Sequence, residues 1–223
     1  ARLVGWLLQL SGKLTGVACS EGMFLANRQT QTTNTAHWAG AHRLLTNRLA
    51  QAAVIQTTAR SILEEGLAYD RCLVGVVTDM QGWESLADHD VQDISHMRRV
   101  LRTQIDVVLD EGAGVLNADD ERVAELASLC DGEVLLYSLH ANNATIAAHR
   151  NEKNGRAVFL LDGRVVLAHG SKERVLGQLS ALPLASGTAP DTASLLAAIA
   201  TAWALDIAPD LIAAGIKTFE YQR

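Results

Sequence analysis

The chain has 223 residues, 48% of them apolar, and its 19 Lys and Arg against 25 Asp and Glu leave a formal charge of −6. That composition supports one sizeable core. With only a short basic turn at Arg98, Arg99 and Arg102, it excludes a face built to bind nucleic acid non-specifically. No apolar run reaches the roughly 18 residues of a membrane helix, and the opening ARLVGWLLQLSG lacks the cleavage site of a secretory leader. A cytoplasmic protein with no membrane partner is expected. The three cysteines, Cys19, Cys72 and Cys130, are odd in number and far apart in apolar patterns, so free thiols are expected rather than a disulfide or metal framework.

In chain order, residues 2–11 place Leu3, Val4, Leu7, Leu8 and Leu10 at helical spacing, with Gly12 set to end the helix. A β-prone run follows at 14–19. Gly22 and the Ala26-Asn27-Arg28 segment suggest a turn before a second extended piece. A loop rich in Thr, Gln and Asn at 29–35 leads to a helix near 36–50. Residues 52–56 read as a strand and 59–65 as a short helix. The run CLVGVVT at 72–78 is a strand with the near-continuous apolar character of a sheet buried on both faces. A helix at 91–104, a strand at 114–117, a helix at 120–130 and a strand at 133–138 complete an alternating rhythm.

That rhythm predicts an α/β fold: a mostly parallel, open sheet with helices on both faces and ligands at the carboxyl ends of the strands. From about residue 140 the pattern changes. Segments 157–161 and 164–169 flank Asp162-Gly163, a dipeptide suited to a two-residue turn, so a small antiparallel hairpin is expected near 155–170. Two helices close the chain, over 192–204 and from Pro209 to about Gly215. Without repeats or a low-complexity linker, residues 1–223 read as one domain.

The run Val115-Leu116-Asn117-Ala118-Asp119-Asp120 joins a strand candidate to an amphipathic segment. Asn117 offers an amide that both donates to and accepts from a base edge. Asp119 and Asp120 either cap the next helix or approach a ribose. His37, His42, His140, His149 and His169 are scattered without metal-ligand spacing and read as structural or surface residues.

Taken together, TAR (58–60), GLAYDRC (66–72), LVGVV (73–77), VLNADD, the LDGRVVLAHG hairpin and the closing AWALDIAPDLIAAGIKTF resemble the central, ATP-binding domain of the Mur ligase family, and within it the cyanophycin synthetase branch. The resemblance covers nearly the whole chain. It implies a P-loop NTPase-like fold in an enzyme that forms amide bonds through an acyl phosphate, with ATP and magnesium as cofactors. It further implies an upstream ATP-grasp domain as partner, cyanophycin or β-aspartyl-arginine as substrate, and a homo-oligomer.

Departures from that pattern carry as much information. The family's phosphate loop would lie immediately before Ala1, and the usual third, lid domain would follow Gln222-Arg223. Where active relatives carry Glu directly before TAR, this chain has Thr57 after Gln56, and the glycines expected after TAR are reduced to Ser61. The family's Asn followed by an Asp-His pair becomes Thr78-Asp79-Met80-Gln81-Gly82-Trp83, which removes ligands for a hard cation. Asp79, Asp88, His89 and Asp90 are the local groups that could hold a displaced metal. The family's Lys-bearing helix offers His96, Arg98 and Arg99, of which Arg98 could meet an anion. A later His-Asn pair is replaced by Ala189-Pro190-Asp191-Thr192. The expectation is therefore a degenerate domain with no catalytic or metal residues of its own. Asn117, Asp119 and Asp120 would remain as a vestigial adenosine site in a structural or dimerising unit. The alternative is a working ligase domain that adds arginine to the β-carboxylate of polymer aspartates.

Overall fold

The computed structural model describes residues 1–179 and 192–219. The stretches Ala189-Pro190-Asp191 and Gln222-Arg223, singled out above, lie outside them. The described chain forms two compact units, one from Ala1–Asp70 with Gly82–Val100, the other from Arg71–Gln81 with the described residues from Leu101 onward.

The first unit is built on a four-stranded sheet of β1 (Thr15–Cys19), β2 (Gly22–Leu25), β3 (Arg28–Gln31) and β4 (Ala52–Ile55), in the order β3-β2-β1-β4. Here β1 runs antiparallel to β2 and parallel to β4. All five residues of β1 are buried, because the sheet is covered on both faces. Val17, Cys19 and Phe24 form one cluster with Val54, and Ala18, Met23 and Leu44 form another with Ile55. This is the period of two expected of a strand. Helix α1 (Arg2–Leu10) buries Leu3, Val4, Leu7 and Leu8. It comes so close to β1 that a Cβ on Gly5 would stand 2.3 Å from a Val17 methyl. The β2–β3 turn is made by Ala26 and Asn27 at φ 49° and 61°, the left-handed pair that matches strand twist. Helix α2 (Trp38–Leu45) follows, shorter than the 36–50 expected, and α3 (Ala59–Glu65) starts on Thr58, whose hydroxyl accepts the Ser61 N–H.

The second unit carries six strands: β5 (Cys72–Val77), β6 (Val108–Asn117), β7 (Glu133–Ser138), β8 (Arg156–Leu161), β9 (Arg164–His169) and β10 (Lys172–Gln178), in the order β10-β9-β8-β7-β6-β5. The first four are parallel, and β8-β9-β10 form an antiparallel meander. The mixed α/β architecture matches the sequence expectation, with the hairpin extended by a third strand. Its turn is Asp162-Gly163 at φ 49° and 72°. Helix α4 (Ile94–Asp106) leads into β6. The stretch after β6 is α-helical only over α5 (Glu121–Ala124) before tightening into a 3-10 turn, Glu125–Leu129. Helix α6 (Ala144–Lys153) connects β7 to β8. Helix α7 (Thr192–Ala204) buries Leu195, Leu196, Ile199 and five small residues and lies against β5, β6, β7 and β8. Helix α8 (Pro209–Thr218) starts on proline, as expected, and packs beside β10. Among the described residues no helix is long and apolar enough to cross a membrane.

Candidate functional site

The parallel strands β5, β6 and β7 deliver Thr78, Asn117 and Ser138 to one edge, where an open cleft of about 420 Å³ is lined by Asp79, Gln81, Asn117, Asp119, Asp120, Glu121 and Arg122. This is the carboxyl edge, where ligands of open α/β sheets bind. All three residues expected as an adenosine site are present in it.

Their hydrogen bonds assign them different tasks. The Asn117 Nδ2 donates to the Thr78 carbonyl at 2.9 Å, and its Oδ1 accepts the Asp119 N–H at 3.0 Å. Both bonds fix the orientation of the amide. They leave one N–H and one lone pair of Asn117 for a ligand. Asp120 is a helix cap, its Oδ1 accepting the Arg122 N–H at 3.1 Å. The Asp119 carboxylate turns the other way: it accepts from Ser138 Oγ at 2.5 Å, Leu139 N at 2.7 Å and Asn143 Nδ2 at 3.1 Å. Ser138 and Asn143 are members of this site that sequence reasoning missed. Asn143 is also the cap of α6, accepting the Ile146 N–H at 3.1 Å, and an Asn immediately before an Ala-Thr-Ile run was the available signal.

Four carboxylates against one guanidinium make the cleft acidic, a setting that opposes a triphosphate. Two of its carboxylates are already engaged within the fold. Asp79 accepts from the Thr78 hydroxyl at 2.9 Å through one oxygen and from the Gln81 N–H at 3.0 Å through the other, while Asp119 is held as described. Among the described residues no three His, Cys, Asp or Glu side chains are grouped to hold a metal.

The remaining metal candidates, Asp88 and His89, belong to the first unit and are taken by Arg60. Its guanidinium donates to Asp88 at 2.9 and 3.3 Å, to Glu64 at 3.3 Å and to the Ser85 carbonyl at 2.7 Å, and stands 3.0 Å from His89 Nε2. The hydrogen bond from Arg60 holds the Asp88 carboxyl below its ordinary range, and the guanidinium is raised in turn. Asp90 sits at φ 59° with its carbonyl 3.1 Å from His96 Nδ1, so His96 serves the local backbone. Arg98 is partly buried and Arg99 exposed. At the end of β4, Gln56 Oε1 accepts from Ser20 N at 3.1 Å and Ser20 Oγ at 3.3 Å. The adjoining crevice, lined by Gln56, Thr57, Trp38 and Tyr69 among others, holds only about 10 Å³, room for about one water.

The cysteines are free, Cys19 buried and the others half-buried. Burial first, and Cys130 second, push the Cys72 thiol up to about 11, and burial raises the Cys19 and Cys130 thiols too, so none is an activated nucleophile by burial or neighbours.

No protein-family profile matches the chain. In sequence it is similar to curated cyanophycin synthetases. It is 29% identical over 224 residues to the one from Synechocystis sp., and 28% identical over 225 residues to the one from Crocosphaera subtropica. Each alignment covers 98% of this chain and 25% of the relative, so the chain spans about a quarter of the length of the relatives it matches. In structure it is similar to a UDP-N-acetylmuramoyl-L-alanyl-D-glutamate–2,6-diaminopimelate ligase (TM-score 0.67, 15% identity, 98% of this chain and 43% of that one). MurF from Acinetobacter baumannii is another such neighbour (TM-score 0.61, 13% identity, 100% and 43%). The fold is that of a Mur-ligase-like domain, and the sequence likeness is to cyanophycin synthetases.

Proposed function

We propose that this chain is the Mur-ligase-like domain of an ATP-dependent amide ligase of the cyanophycin synthetase type. In our reading it is a structural, dimerising unit, and amide-bond formation takes place in an ATP-grasp domain upstream in the same cytoplasmic, homo-oligomeric enzyme. The whole enzyme would use ATP and magnesium and act on cyanophycin or β-aspartyl-arginine. Similarity to cyanophycin synthetases over 98% of the chain supports the ligase assignment.

The observation that carries the scaffold part is the engagement of the carboxylates. Transfer through an acyl phosphate requires a divalent cation and positive groups at the phosphates, in a site that excludes water. Here Asp79 and Asp119 are held by backbone and hydroxyl donors and Asp88 by Arg60. The cleft that remains is acidic and open.

One observation favours the second reading, an active domain adding arginine to the β-carboxylate of polymer aspartates. Asn117 keeps a free N–H and lone pair facing a cleft, which suits the edge of an adenine. Asp119 and Asp120 would then support it rather than touch the nucleotide.

The experiment is a comparison in the full-length enzyme of Asn117→Ala with a substitution in the ATP-grasp site. A scaffold leaves the first variant near wild-type turnover while the second is dead. A loss of about tenfold in the first, equivalent to about 1.4 kcal/mol of transition-state stabilisation, sinks the scaffold reading.

A further inference from the structure

We infer that Asp119 is the central member of a latch that ties together the carboxyl ends of β5, β6 and β7 and the start of α6, and that it is a positioning residue for the Asn117 amide. Its purpose rests on the scaffold reading; its geometry does not.

The bonds form one continuous chain. At one end, Asn117 Nδ2 donates to the Thr78 carbonyl beyond β5. The Asp119 N–H donates to Asn117 Oδ1, and the Asp119 carboxylate gathers the Ser138 hydroxyl, the Leu139 N–H and Asn143 Nδ2. Asn143 then donates from the same Nδ2 to the Ala118 carbonyl at 2.9 Å and caps α6 through Ile146. Ser138 Oγ closes the turn by accepting the His140 N–H at 2.9 Å. These backbone groups lie where strands end and ladder partners run out, so side chains must satisfy them.

The carboxylate is the irreplaceable part. It is the acceptor of three donors from two neighbouring elements, and charge-assisted bonds of this kind are about twice as strong as neutral ones. By fixing its own backbone N–H, Asp119 dictates which end of the Asn117 amide points into the sheet. A second consequence is that Asp119 offers little to a ribose or a cation, although residue type alone suggested it.

Amide exchange in the intact protein, read by mass spectrometry, tests this. In Asp119→Ala, exchange at Leu139 and Ile146 is expected to rise about tenfold or more, with residues 113–116 of β6 unchanged. A merely global destabilisation would speed all of them together, and that result, or no change at Leu139, overturns the latch. Should Asp119→Ala fail to fold, Asp119→Asn reads the same amides, since it retains an acceptor for Leu139 but sets its own amide donors against Asn143. Direction is tested by Asn117→Ala, which should speed the Asp119 amide and spare Leu139; acceleration of Leu139 to the same degree overturns the ordering. Micromolar binding of magnesium-ATP to the full-length enzyme with its ATP-grasp site disabled by substitution would sink the scaffold reading while leaving this exchange pattern intact, so the two fail separately.

Discussion

Two glycines that face each other across β5 and β6 should respond very unequally to alanine. Gly75 pairs with Gly114 in the parallel register, and neither needs a left-handed backbone, since both lie outside the positive-φ glycines. A Cβ on Gly75 would stand 2.2 Å from the Gln104 carbonyl oxygen of α4 and 2.8 Å from a Val108 methyl. Ordinary contact begins at 3.4 Å, so that carbonyl would have to retreat by about 1.2 Å, the difference between 3.4 and 2.2. A helix carbonyl cannot do so without lifting the last turn of α4 from the strand. Overpacking of this kind costs about 1–3 kcal/mol, and the backbone nature of the obstacle argues for the upper end. A Cβ on Gly114 meets the Cys130 Sγ at 3.0 Å and the Ile105 Cδ1 at 3.7 Å. A shift of a few tenths of an ångström by one thiol is enough, and the alanine restricts the unfolded chain by about 0.4–1 kcal/mol. Urea denaturation followed by circular dichroism should show Gly75→Ala losing about 1 M or more in midpoint at an m near 2 kcal/mol/M. Gly114→Ala should stay within about 0.3 M of wild type by the same measure. Equal losses in the two variants would refute the claim that backbone approach of α4 explains the glycine in the LVGVV strand.

Burial lowers the His149 pKa from its ordinary 6.5, with Lys153 acting in the same direction and the Val134 carbonyl, 3.0 Å from Nε2, opposing it. The unfolded chain therefore takes up a proton that the folded one resists. The stability contribution is complete above about pH 6.5 and is lost as pH falls below it; His149→Gln should flatten the decline between pH 7.5 and 5, and parallel slopes in the two proteins would count against this account. Arg60→Ala should return the Asp88 carboxyl towards its ordinary value and make the segment Trp83–His89 several times more sensitive to limited proteolysis. Arg60→Lys should fall between, because an ammonium cannot serve Asp88, Ser85 and Glu64 in fork geometry. Unchanged cleavage in Arg60→Ala would show that Leu86 and Val91, both buried, hold the segment unaided.

The parts of the fold visible in the sequence are those where burial is one-sided or complete. Cys72–Val77 and Glu133–Ser138 announce themselves by apolar runs, and Asp162-Gly163 by the turn it must make. What stayed hidden has little apolar pattern to show. Helix α6 buries only Ile146 and His149, so a histidine occupies the place where a periodic apolar residue would have marked it. Strands β3 and β10 lie at sheet edges with nearly every side chain exposed or half-exposed, which erases alternation. Residue types at 117–120 were enough to identify a polar junction. They could not assign Asp119, because its partners Ser138 and Asn143 arrive from the next strand and helix, and hydrogen-bond pairing across elements leaves no local signature.

The double use of polar side chains at the carboxyl edge explains why a nucleotide-like motif and a scaffold role are compatible. Where β5, β6 and β7 end together, the Thr78 and Ala118 carbonyls and the Leu139 N–H lack ladder partners, and Asn117, Asn143 and Asp119 supply them. An unsatisfied group at such a place costs about 1–3 kcal/mol, so the fold has first claim on these side chains. A ligand meets what remains: one N–H and one lone pair on Asn117, the second oxygen of Asp120, and the side chains of Gln81, Glu121 and Arg122. That remainder can grip a base edge but sets a single positive charge among four negative ones. On the scaffold reading proposed above, recognition of a nucleoside is separable from phosphoryl transfer, and a variant that abolished the first should leave the turnover of the full-length enzyme unchanged.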